Sequence, residues 1–375
     1  MNESRFLHFF SRQKEFDMTP NMFAKIAGLT LALAVCSEVA HAAESSAVKA
    51  SRDWLKHPAV VELDTTETVF AVGDPHGDPV RLAGVLAAAM LTESTATAPD
   101  QVKWTGGKSV LVVTGDMIDK WTDSLGVIAL LRALQTDAAR QGGQVIVTMG
   151  NHEAEFLANP LGKKTREFAN ELRAAKIDPV EVASCQGDVG QFLCALPIAV
   201  RVNDWFFSHG GNTNNRTIAE LSTAIENGFA KDGFATKELS DENSILEARL
   251  NKKGPNGMPW FMDGSKDTDA KALLKKYASK LKVNHIVQGH QYGRVKFPDN
   301  KNREEETLFQ RYGILFLIDS GMGEGIEDST STGGALRIAG PAGKQQALVI
   351  CANGYWREMW DSKEQPDHQE QHCGK

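Results

Sequence analysis

With 375 residues, 42% of them hydrophobic and 24% charged, the chain has the composition of a globular protein of one large or two ordinary domains, which excludes disordered and fibrous classes. A formal net charge of −7 leaves no basic surplus for neutralising a phosphate backbone, so nucleic acid is not expected as a binding partner.

Residues 1–42 read as a secretory signal peptide: Lys25, an apolar stretch over 26–36, then Ala40-His41-Ala42, a small-x-small cleavage pattern. That stretch is shorter than the roughly 20 residues needed to span a bilayer, so no transmembrane segment is expected in the mature chain. Residues 1–17 are long and mixed in charge for the start of such a signal, which makes Met18 or Met22 an alternative start. Cleavage implies a periplasmic or secreted protein, and export favours disulfides. Once Cys36 is removed, Cys185, Cys194, Cys351 and Cys373 remain, and Cys185–Cys194 with Cys351–Cys373 is the simplest of three connectivities.

Residues 43–67 are read as an N-terminal linker. From residue 68, short apolar, β-rich runs alternate with longer helical patterns. The runs cover residues 68–72, 109–114, 144–149, 205–208, 285–288, 314–319 and 347–352. Continuous apolar runs suit strands covered on both faces, as in α/β layers. Between the second and third, "SLGVIALLRALQTDAAR" places Leu125, Ile128, Leu131, Leu134 and Ala138 on one face, the pattern of a core-facing helix. A more polar, helix-rich stretch at about 217–282 reads as an accessory lobe, and 361–375, rich in Gln, Glu and His, as a flexible tail.

The informative residues come directly after the strands. "GDPHGD" (73–78) follows the first run, "GDMIDK" (115–120) the second, "GNHE" (150–153) the third, "HGG" (209–211) the fourth and "GHQ" (289–291) the fifth. Each brings a metal-capable side chain to the carboxyl end of a strand, where open α/β sheets bind ligands. Taken singly, these motifs are ordinary turns, caps or buried histidines. Together they hold four of the ten histidines, and chance does not explain the set.

The set resembles the calcineurin-like metallophosphoesterases, in particular the phosphoprotein phosphatase branch and the Shewanella-like protein phosphatases, over residues 69–323 including "LIDSGMG" (317–323). The resemblance implies an α/β layered fold, with central mixed β-sheets flanked by helices, over 68–360, and a small helical accessory lobe. It implies two divalent metal ions: Asp74 and His76 on the first, Asp116 bridging both, and Asn151, His209 and His290 on the second. It also makes His152 the general acid, hydrogen-bonded by Asp119, with Lys120 and Asn151 binding phosphate. Oxygen and nitrogen ligands of this kind suit Mn, Fe or Zn. A water shared by two such ions is acidified enough to give hydroxide near neutral pH, which can attack phosphorus in line.

Two positions depart from the family pattern. Lys120-Trp121 stands where an Arg-Gly is usual, so charge is delivered without a bidentate fork. Met262, in "MPWFMDG", stands where a second arginine is expected, with Arg216, Arg249 and Arg294 as candidate substitutes. The function expected is hydrolysis of a phosphorylated protein or small phosphomonoester. The alternatives are a phosphodiesterase, a dinucleoside-polyphosphate hydrolase, and a non-catalytic metal-binding scaffold.

Overall fold

A computed structural model of the protein describes residues 52–250, 260–261, 269–341 and 343–374. The signal expected over 1–42 and Met262 lie outside the described residues. Among the described residues, no helix is long and apolar enough to cross a membrane.

Among the described residues, thirteen strands form two mixed sheets. In chain order they are β1 (Val60–Leu63), β2 (Val69–Val72), β3 (Val110–Val113), β4 (Gln144–Val147), β5 (Ala199–Val202), β6 (Trp205–Ser208), β7 (His285–Gln288), β8 (Thr307–Arg311), β9 (Leu315–Leu317), β10 (Gly334–Ala339), β11 (Gln346–Cys351), β12 (Trp356–Asp361) and β13 (His368–His372). One sheet runs β12-β11-β10-β2-β3-β4 and the other β1-β5-β6-β7-β9-β8-β13. Within them β2, β3 and β4 are parallel neighbours, as are β6, β7 and β9.

Side-chain alternation along a strand explains the layering. Val69, Ala71, Val110, Val112 and Ile146 share a buried cluster with Val200, Phe207, Val287 and Phe316 of the other sheet. Their neighbours Phe70, Val72, Leu111, Val113 and Val145 join the helix residues Ile128, Leu131 and Leu134 in a second cluster. Each of these strands is therefore covered on both faces, as its unbroken apolar run requires. The helix expected over the segment "SLGVIALLRALQTDAAR" occupies Ser124–Arg140, with Asp123 as its cap, whose side chain accepts the Gly126 N–H.

Two expected boundaries move. The linker read over 43–67 contains β1, which pairs in parallel with β5, because four residues gain a full backbone ladder there without needing a long apolar run. The tail read as flexible over 361–375 contains β13, antiparallel to β8. Its His-Gln-Glu-Gln-His sequence has no hydrophobic signal; backbone pairing and the Cys351–Cys373 disulfide hold it instead. The other disulfide joins Cys185 to Cys194, so the pairing is the local one. In the accessory stretch the described helices are Ile218–Asp232, Lys237–Ser240 and Ala270–Leu281, the last leading directly into β7.

Candidate metal centre

The loops after β2, β3, β4, β6 and β7 converge, and all of the ligand-type residues read from the sequence are buried within them: Asp74, His76, Asp116, Asn151, His209 and His290. Asp116 lies at the middle. Its Oδ2 is 3.6 Å from His76 Nε2, 3.3 Å from His209 Nε2 and 3.9 Å from His152 Nε2. His76, Asp116 and His152 form one group able to hold a cation, and Asp116, His209 and His290 a second. Asp116 belongs to both groups.

The orientation of each ring has a local cause. His76 Nδ1 faces the Ile118 carbonyl at 3.3 Å and His209 Nδ1 the Thr114 carbonyl at 2.8 Å, so in each case Nε2 is the nitrogen turned toward Asp116. His290 is the reverse: its Nε2 faces the Glu247 carbonyl at 3.2 Å, and its buried Nδ1 has no hydrogen-bond partner. Asp74 accepts the His290 N–H through Oδ2 at 2.7 Å and leaves Oδ1 buried without a partner. Buried polar atoms are nearly always satisfied. A carboxylate oxygen and an imidazole nitrogen unpaired in one site, beside carboxylate, amide and imidazole donors, therefore fit divalent cations.

The backbone is strained at these points. His76 (φ 40°), Asp116 (φ 50°), Asp119 (φ 64°), Lys120 (φ 68°) and His290 (φ 62°) are all in the left-handed region, which costs side-chain-bearing residues on the order of 1 kcal/mol or more each. Gly289 shows how tight the packing is: a Cβ there would lie 2.2 Å from Asp74 Oδ1. Gly115 combines φ 91° with a Cβ position 2.4 Å from the Gly150 nitrogen, so only glycine lets the β3 and β4 loops touch.

Charge is concentrated here. Burial, reinforced by the Asp319 and Asp116 carboxylates, raises Asp74 well above the ordinary carboxylate range. Burial also opposes a charge on Asp116, but the histidines around it, His209 first, outweigh burial and hold it well below that range. His209 is likewise disfavoured by burial, yet Asp116 and Asp74 raise it to about 10. Burial lowers His76 to about 3 and, with the His209 and Arg249 charges, drives His290 well down. Both shifts favour a proton on Asp74 and His209, which a cation bound there would displace.

His152 shares Asp116 with this cluster and has a second carboxylate partner. Its Nδ1 is 2.9 Å from Asp119 Oδ2, while the other Asp119 oxygen accepts the Phe168 N–H at 3.0 Å. Burial disfavours the imidazolium, but Asp116 and Asp119 outweigh it and raise His152 above its ordinary value. Glu153, fully buried, accepts N–H bonds from Asp116, Met117, Ile118 and Gly150, and so braces the β3 loop against the helix Asn151–Ala158. Asn151 Oδ1 is 3.0 Å from His209 Nε2.

Lys120 is exposed, and its charge is felt by both His76 and His152. Of the three arginines considered as substitutes, Arg216 pairs with Glu238 and Arg294 with Glu304. Arg249 is the one beside the site, with Nη1 on the His290 carbonyl at 2.7 Å. Among the buried charged groups with no role in the sequence reading, two bear on Asp74: Asp319 and Arg303. The signals for Asp319 were the apolar run 314–319 that ends on it and the "LIDSGMG" strand-and-turn.

The chain is 26% identical over 292 residues to an uncharacterized protein of Schizosaccharomyces pombe, covering 72% of this chain and 74% of that one. It is 28% identical over 276 residues to Shewanella-like protein phosphatase 1 of Plasmodium berghei, covering 68% and 67% respectively. A solved cold-active protein tyrosine phosphatase superposes with TM-score 0.60 over 86% of this chain and 85% of the other, at 19% identity, a likeness of fold alone. The calcineurin-like phosphoesterase family model matches residues 67–294. That stretch takes in every convergent loop from Asp74 to His290, and the chain belongs to the calcineurin-like phosphoesterase family.

Proposed function

We propose that the protein is a metal-dependent phosphomonoesterase acting on phosphorylated protein or peptide, with two divalent ions, Mn, Fe or Zn, held by Asp74, His76, Asp116, Asn151, His209 and His290. The observation that carries this reading is the turning of His76 and His209 Nε2 onto one Asp116 oxygen, next to the unpartnered Asp74 Oδ1 and His290 Nδ1. Bound divalent ions would supply Lewis acidity, neutralising phosphate charge and acidifying water. The named phosphatase relative supports phosphoprotein as the substrate class.

The chain's own groups do the rest. His152, oriented by Asp119, donates a proton from Nε2 to the leaving oxygen. Asn151, Lys120 and Arg249 draw the phosphate in and orient it. A single lysine cannot fork onto two phosphate oxygens, whereas the guanidinium of Arg249 can. Arg249→Ala should therefore raise KM for phosphopeptide about tenfold or more, since a charge-assisted hydrogen bond is worth roughly 1.5–3 kcal/mol. An unchanged KM and kcat would remove Arg249 from the phosphate site.

The direct test is elemental analysis of the purified protein with activity measured after chelation and divalent-ion add-back. Phosphopeptide, nucleotide, diester and aryl phosphate would be assayed side by side. Preferred turnover of the diester would replace the monoesterase reading, and bound metal without turnover on any of the four would leave a metal-binding scaffold. We further propose export to the periplasm or beyond, with cleavage after Ala42, which the mature N-terminus of the secreted protein would test.

A further inference from the structure

Arg303 and Arg311 are both fully buried, at the two ends of the segment that becomes β8, but they are satisfied in opposite ways. Arg311 pairs with the Asp299 and Asp367 carboxylates. Among the described residues Arg303 has no carboxylate within ion-pair distance, and its guanidinium donates only to main-chain carbonyls: Thr307 (3.0 Å from Nε), Gln291, Gly293 (3.3 Å) and Asp319. Burying a guanidinium with no carboxylate bound to it is costly, so the arrangement calls for a return elsewhere.

Besides Thr307, the carbonyls it holds belong to two site segments. Gln291 follows His290 directly. The Asp319 backbone packs against the residue before Asp74, where a Cβ on Gly73 would lie 2.9 Å from Asp319 Cα. The residues beside these two contacts, His290 and Asp74, meet across the site through the His290 N–H and Asp74 Oδ2 at 2.7 Å. His290 has φ 62°, a conformation that local sequence does not favour and that something must therefore hold. The planar, five-donor fork of arginine can tie three chain segments at once, which a lysine ammonium on a flexible stem cannot.

We infer that Arg303 is a positioning residue for the metal centre: by strapping the Gln291 and Asp319 carbonyls together it fixes His290 against Asp74, and so sets the affinity of that side of the site for a divalent cation. This rests on the metal-dependent reading above and concerns a residue that touches neither metal nor substrate.

The test is calorimetric titration of the metal-stripped full chain with Mn²⁺, alongside thermal midpoints, for the wild type, Arg303→Lys, Arg311→Lys, His290→Ala and the double variant Arg303→Lys/His290→Ala. Arg303→Lys should weaken Mn²⁺ binding about 10- to 100-fold, the range for residues that orient metal ligands. Arg311→Lys should leave binding unchanged even if its thermal midpoint falls as far. Because the effect runs through His290, the double variant should bind no more weakly than His290→Ala alone. Wild-type affinity in Arg303→Lys, additive losses in the double variant, or an Arg303→Lys chain that fails to fold where Arg311→Lys folds would each overturn the assignment. A wild-type chain that takes up no divalent ion would instead overturn the metal-dependent reading beneath it.

Discussion

Asp116→Asn is expected to empty the metal centre and lower turnover by at least about 10³-fold. Asp116 is the one residue shared by both groups of potential ligands, and its Oδ2 faces the histidines from either side. Asparagine keeps the volume and can still accept the His152 N–H that Asp116 Oδ1 now accepts at 3.1 Å, so the local backbone has no reason to move. What disappears is the anionic oxygen that two cations could share. Lewis-acid stabilisation is worth several kcal/mol, and each loss of about 1.4 kcal/mol is tenfold in rate. Elemental analysis of the variant is the primary readout, and full metal occupancy would show that Asp116 is not the shared ligand.

His152→Ala should separate from that result, because its metal content should survive. Turnover should fall by about 10² to 10⁴, the range contributed by a positioned general acid. The imidazole is held by Asp119 at 2.9 Å, and the neighbouring carboxylates outweigh burial in keeping it protonated to a higher pH than usual. A raised pKa extends the donor form toward higher pH, so turnover should be lost on the alkaline side as that form is withdrawn. Substrates with very acidic leaving groups need little protonation, so an activated aryl phosphate should lose less rate than a phosphoserine peptide. Equal losses on both would point to a role for His152 other than proton donation.

Much of the site could be read from the chain because each part is a local event, a short apolar strand ending in glycine and a polar ligand-type residue. Asp74, His76, Asp116, Asn151, His209 and His290 all occur in such motifs, and Asp119 lies three residues beyond Asp116 on the same loop. The helix Ser124–Arg140 was equally local, since its apolar period and its Asp123 cap are properties of consecutive residues.

Other features depend on partners far away in the sequence. β1 is only four residues long and β13 has no apolar residue to announce it, and both exist because β5 and β8 offer them a ladder. That the five ligand-bearing loops come from two sheets, three from one and two from the other, follows from strand pairing, which no single segment encodes. The position of Arg249 beside His290, and the burial of Arg303 among carbonyls from three segments, are likewise tertiary facts. The sequence by itself determined which side chains could meet at a cation, because strand and turn chemistry acts over a few residues. Only the folded chain decided which oxygens and nitrogens face one another and which cations stand behind them, because those distances are set by packing between segments hundreds of residues apart.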